Sequence, residues 1–76
     1  MRWKDRILVD PQILVGKPVI KGTRIAVAFI MQLLAEGWTY EQILENYPDL
    51  VEEDIRAAIA YANEVVQMEK VYPVAD

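Results

Sequence analysis

The chain contains no cysteine and no histidine. Disulfides are therefore excluded, and with them ordinary zinc sites, thiolate nucleophiles and imidazole acid/base chemistry. No apolar run approaches the ~20 residues of a membrane span, and Met1-Arg2-Trp3-Lys4-Asp5 lacks the apolar centre of a signal peptide. A cytoplasmic protein with no membrane partner is expected. Gly16 to Thr23 superficially resembles a phosphate-binding loop, but no lysine stands between Gly22 and Thr23 and no strand-to-helix unit of α/β type encloses it. No cofactor, small-molecule substrate or catalytic activity is expected. What is present is one short domain of 76 residues, 54% hydrophobic and 26% charged. A chain this small buries only about 60% of its unfolded surface and, with neither disulfide nor metal, leans on a partner subunit. A homodimer is the expectation.

The net charge of −4 hides an asymmetry. Residues 1–25 carry six cations against two acids, a balance of +4. The remainder carries Arg56 and Lys70 against ten acids, a balance of −8. Such a split points to two different partners, one of them polyanionic, or to charge scattered over a solvated surface.

The first quarter reads as extended. Ile7-Leu8-Val9 stops at the turn pair Asp10-Pro11, Ile13-Leu14-Val15 at Gly16-Lys17-Pro18, and Val19-Ile20-Lys21 at Gly22-Thr23. Two or three short strands follow, which must pack on helices or on another chain to be stable. From Val27 the period becomes helical: Val27, Ile30, Met31 and Leu34 share a face, widened by Phe29 and Leu33. Gly37 ends this helix. Thr39 with Gln42 predicts a capping box, and Trp38 with Ile43 a hydrophobic staple. Tyr47-Pro48 closes the short second helix. A third opens at Glu52-Glu53-Asp54, with the stripe Ile55, Ala58, Ile59, Ala62, Val65 and Val66, and runs to about Lys70. The expected fold is mainly α with a small N-terminal β hairpin, a three-helix helix-turn-helix of winged-helix or homeodomain kind. Its parts are an extended arm over 1–25, a helical core over 26–71 and a tail over 72–76.

Asp10 to Ile25, with its Gly16-Lys17-Pro18-Val19-Ile20-x-Gly22-Thr23-Arg24-Ile25 string, resembles the signature of the domain-of-unknown-function 433 family. The resemblance continues through Leu34 to Thr39, Ile43-Leu44, Tyr47-Pro48 and Glu53 to Ala58, ending near Tyr61-Ala62. It implies a helix-turn-helix fold and a VapB-type antitoxin, a DNA-binding subunit that neutralises a PIN-like nuclease toxin. Two positions depart from the family pattern. The family usually has two glycines where this chain has Val15-Gly16, and a threonine or serine cap where it has Val51. Val51 has no side-chain acceptor, so either Asp49 caps the third helix or the helix begins elsewhere.

Lys17, Lys21, Thr23 and Arg24 surround a glycine-punctuated segment and are the candidate DNA contacts, joined by Arg56, the only cation on the third helix before Lys70. The alternative is structural: Gly16 and Gly22 serve turns, and Arg24 pairs with an acid such as Asp54 or Glu36. Three carboxylates at the start of a recognition helix would be repelled by phosphates, so either the basic N-terminal half faces DNA or this helix has another task, Ala57, Ala58, Ala60 and Ala62 allowing helix–helix contact across a dimer or with a toxin. The candidate protein-binding residues are Glu64, Glu69, Val71, Tyr72 and Val74, an acidic helix end and tail suited to a nuclease cleft or to strand addition. Trp3, Trp38, Tyr40 and Tyr47 read as packing residues. The expectation is thus an antitoxin that binds operator DNA and represses its own operon. The alternatives are a dimerisation or protein-interaction module, and a transcription regulator without a toxin.

Overall fold

The structure, a computed structural model, describes residues 2–68. Two short strands, β1 (Ile7–Leu8) and β2 (Val19–Ile20), precede three helices, α1 (Val27–Ala35), α2 (Tyr40–Asn46) and α3 (Glu52–Met68). Single 3-10 turns occupy Trp3–Asp5 and Leu14–Gly16. The predicted end of the third helix near Lys70 and the tail over 72–76 lie outside the described residues. Among the described residues no helix is long and apolar enough to cross a membrane.

The strands pair antiparallel with Ile7 opposite Ile20 and Leu8 opposite Val19. Asp10 turns the chain away from β1 by accepting from the Gln12 N–H through Oδ1 at 2.9 Å and from the Ile13 N–H through its carbonyl at 2.9 Å. The other edge of β2 meets Ala26, and the Ile20 N–H donates to the Ile25 carbonyl at 3.0 Å. The Pro18 carbonyl takes the Val27 N–H at 3.0 Å, satisfying a donor at the start of α1 that no side chain caps. The hairpin thus delivers the chain directly into the first helix.

Two of the three candidate strands form. Ile13-Leu14-Val15 does not, because Leu14 and Val15 take φ of 47° and 56° and coil left-handed into Gly16. The Gly16 N–H closes the coil on the Ile13 carbonyl at 3.0 Å. A β-branched residue crowds its own backbone in that region. Val15 is also 94% exposed, so no burial offsets the strain.

Downstream, the signals read from the sequence act as expected. At the end of α1 the Gly37 N–H donates to the Leu34 carbonyl and the Trp38 N–H to the Leu33 carbonyl, both at 3.0 Å, with Gly37 at φ 93°. This pair of bonds is the Schellman ending, and it needs a residue free to be left-handed. The capping box opens α2: the Gln42 N–H donates to the Thr39 hydroxyl at 3.1 Å, and the Thr39 N–H donates to the Gln42 side chain at 2.8 Å.

One hydrophobic cluster joins the hairpin to the helices. Ile7 and Ile20 enter from the strands, Val27, Ile30 and Leu33 from α1, Ile43 from α2, and Ile55, Ala57 and Ala58 from α3. Each isoleucine buried here is worth about 1.5–3 kcal/mol. The N-terminal quarter is therefore part of the core. The buried face of α1 is turned toward Leu33, leaving Met31 and Leu34 half-buried and Phe29 edge-on to Tyr47, with ring centroids 5.3 Å apart. The stripe of α3 divides: Ile55 and Ala58 are buried, Ile59 and Ala62 half-buried, Val65 and Val66 exposed.

Relief of the left-handed strain gives a direct test. Val15→Gly is expected to stabilise the fold by about 1 kcal/mol, the strain removed less the extra freedom of an unfolded glycine. In a domain of this size that raises Tm by about 4–8 °C in a thermal melt. An unchanged or lower Tm would show that Val15 is not strained.

Candidate functional site

The start of α3 is organised by one carboxylate. Asp54 is buried at 6% exposure and accepts from the Val51 N–H at 3.0 Å and from Arg6 Nη1 at 2.9 Å. Its backbone N–H donates to the Val51 carbonyl at 2.9 Å. The helix opens directly after Val51, so neither Asp49 nor a shifted start is needed. The third helical residue supplies the reciprocal half of a capping box on its own. Arg6 also approaches Glu53 at 3.8 Å, and Arg56 pairs with Glu52 at 2.9 Å one turn along the helix. Each carboxylate in Glu52-Glu53-Asp54 therefore faces a cation.

This pairing sorts the candidate DNA contacts. Arg56 is occupied by Glu52, an exposed i,i+4 pair worth about 0.3–0.5 kcal/mol. Thr23 is occupied within its turn: its hydroxyl donates to the Ile20 carbonyl at 2.8 Å and accepts from the Ile25 N–H at 3.0 Å. That turn places Gly22 at φ 81° in its third position, as a type II turn requires. Lys17, Lys21 and Arg24 are exposed and have no ion-pair partner among the described residues. The pairing considered for Arg24, with Asp54 or Glu36, does not form, because Arg6 holds Asp54 and Glu36 accepts from the Gln32 side chain at 3.1 Å. The three cations lie on the segment that flanks β2 and its turn, a cationic edge on a rigid scaffold.

Trp38, Tyr40 and Tyr47 are half-buried against the core, as is Trp3. Trp3 also meets Tyr61 edge-on with centroids 4.9 Å apart and donates its indole N–H to the Glu64 carboxylate. Glu64, a candidate for protein binding, is thus held against the N-terminal segment. Glu69, Val71, Tyr72 and Val74 lie outside the described residues. Sequence reasoning missed Arg6 and Tyr61. Neither carried a local signal, since Arg6 meets Asp54 across 48 residues.

Two clefts flank the exposed half of α3. One, of about 420 Å³, lies between α1 and α3 and is walled by Pro18, Ala26, Ala28, Met31, Ala62 and Val66, with Lys17 at its rim. The other, of about 610 Å³, lies on the side of Trp3, Lys4 and Glu64. Tyr61 and Val65 line both and form the ridge between them.

A family model described as "Protein of unknown function (DUF433)" matches residues 7–62. The uncharacterized protein y4eO of Sinorhizobium fredii (strain NBRC 101917 / NGR234) is 39% identical over 59 residues. That match takes in 78% of this chain and 27% of y4eO, so the chain spans about a quarter of that relative's length. The crystal structure of a DUF433 member from Anabaena variabilis ATCC 29413 matches with a TM-score of 0.78 at 30% identity. It covers 84% of this chain and 63% of its own.

Two substitutions test these assignments by urea unfolding. Asp54→Ala strips the cap and leaves Arg6 without its buried partner, with an expected loss of about 2–4 kcal/mol, whereas Asp54→Asn retains an acceptor and costs about 1–2 kcal/mol. Thr23→Val removes a donor and an acceptor from the turn and is expected to cost about 1–2 kcal/mol. Losses below about 0.5 kcal/mol at either site would contradict the roles given to them.

Proposed function

The chain belongs to the DUF433 family of proteins of unknown function, and from that premise we propose that it is a cytoplasmic DNA-binding protein of the type II antitoxin kind. In this reading it neutralises a PIN-like ribonuclease and represses its own operon. The observation that carries the DNA half is the partition of cations. Arg6 and Arg56 are used internally against the acids of α3, while Lys17, Lys21 and Arg24 stay exposed without acid partners among the described residues. Long cationic side chains on a turn anchored by β2 and Thr23 suit phosphate contact, which positions a protein on a duplex without itself reading sequence.

The same pairing lowers the electrostatic objection to a duplex beside α3. With Glu52 and Asp54 each bonded to an arginine and Glu53 near one, the start of the helix carries a local balance of −1 in place of −3. The toxin half rests on the VapB-type resemblance and on the acidic balance of the chain beyond residue 25, a sign that suits a positively charged or metal-bearing nuclease cleft.

The test is a titration of the native chain against a duplex from the region upstream of its own coding sequence, repeated at several salt concentrations. Affinity is expected to fall steeply with salt. Lys21→Ala and Arg24→Ala should each reduce the slope of log K against log salt by roughly one, and Thr23→Ser should leave it unchanged. A salt-independent affinity, or slopes that ignore both alanines, would overturn the DNA reading. For the toxin half, the chain is expected to abolish RNA cleavage by a PIN-like nuclease encoded beside it at a one-to-one ratio. Undiminished cleavage would leave a regulator without a toxin.

A further inference from the structure

We infer that the ridge and clefts on the outer half of α3 form a two-fold interface with a second copy of this chain. From Ile59 to Met68 the helix carries one charge, Glu64, in ten residues. Val66 and Met68 are 59% and 76% exposed. Asn63, Glu64 and Gln67 form the polar face of this segment. The rest of its surface is the ridge of Tyr61 and Val65, beside an apolar cleft lined by Val66, Met31 and three alanines.

The occupant follows from shape, size and charge. An isologous interface must carry on one patch both a projection and the hollow that receives it. Here the Tyr61–Val65 ridge of α3 and the cleft between α1 and α3 lie side by side, and Ala26, Ala28 and Ala62 let another backbone approach closely. The accessible residues lining the two clefts, at roughly 35 Å² each, give about 450 Å² per copy, or about 900 Å² in total, the size of a weak, reversible interface below the ~1,200 Å² of tight ones. The rim carries both signs, Lys4 and Lys17 against Glu64, so a second copy meets complementary charge. The core beneath is small and has no disulfide, the condition in which small domains depend on association. The pairing does not depend on the DNA reading.

The mass of the native chain, followed by sedimentation over a dilution series, tests it without DNA. Two chains per particle are expected at about 100 µM, dissociating toward one on dilution through the micromolar range. Val66→Glu and Ala28→Glu each place a charge in the contact from an exposed position. Each should weaken association at least about tenfold without loss of helix content in circular dichroism. Val9→Glu, on an exposed residue that lines neither cleft, should leave the dimer intact. A native chain that stays single at about 1 mM overturns the proposal, whether another protein or residues 69–76 then cover the face. A dimer that survives both Val66→Glu and Ala28→Glu overturns it equally. If a glutamate variant unfolds, the dilution series of the native chain and the second variant still decide.

Discussion

A single buried carboxylate ties the N-terminal segment to the start of α3. Asp54 is taken out of water, which carries a penalty of several kcal/mol unless the charge is met. It is met by the Arg6 guanidinium and by the Val51 N–H. Arg6 stands just before β1, and its carbonyl accepts the Lys21 N–H at 2.8 Å. One residue thus ties the start of α3, the hairpin and the cationic edge. About two to three helical turns further along α3, Tyr61 and Glu64 hold Trp3. The N-terminal segment is clamped along α3 at two points, and without Arg6 the buried Asp54 carboxylate would keep its cap bond to Val51 and lose its cation.

Elements governed by local chemistry were legible in the sequence. The box at Thr39 and Gln42, the helix end at Gly37 and the turn at Asp10-Pro11 each depend on residues within a few positions of one another, and each forms. Arg6 was illegible because its partner lies 48 residues away, and no periodicity reports a pairing at that distance. The coil at Leu14 and Val15 ran against propensity: three apolar residues read as a strand, but the chain reverses there and leaves them no neighbour to pair with. On α3 periodicity found the apolar stripe and could not say where the core ends along it. Ala58 and Val65 belong to the same stripe, yet one is buried and the other exposed. Of the candidate site, the basic segment was visible from composition. The division between used and unused cations needed three dimensions.

That division changes the meaning of the charge asymmetry. By sequence the two parts of the chain are oppositely charged. In the fold, Arg6 crosses from the basic part to neutralise the acidic one, and Arg56 neutralises Glu52 within its own helix. Lys17, Lys21 and Arg24 remain on a narrow segment braced by backbone bonds on both sides of β2. A braced backbone loses less conformational freedom when its cations meet phosphates than a loose arm does, so bracing favours contact geometry over reach.

The cationic edge and the apolar face are mechanically one unit. Lys17 stands at the rim of the cleft, and Pro18, next in the chain, forms its wall. The Pro18 carbonyl takes the first N–H of α1, and the helix that starts there supplies Ala28 and Met31 to the same cleft. No flexible linker separates the two surfaces. In a two-fold pair built on the α3 ridge, the distance between the two cationic edges is therefore set by the fold. Proteins that engage two half-sites of a duplex need that constraint, because the half-sites recur at one helical turn, about 34–36 Å, or its multiples. A freely jointed arm would meet the same phosphates with its spacing undefined and the cost of ordering it deferred to binding. Here the position of each edge relative to the α3 ridge is set when the hairpin closes on α1.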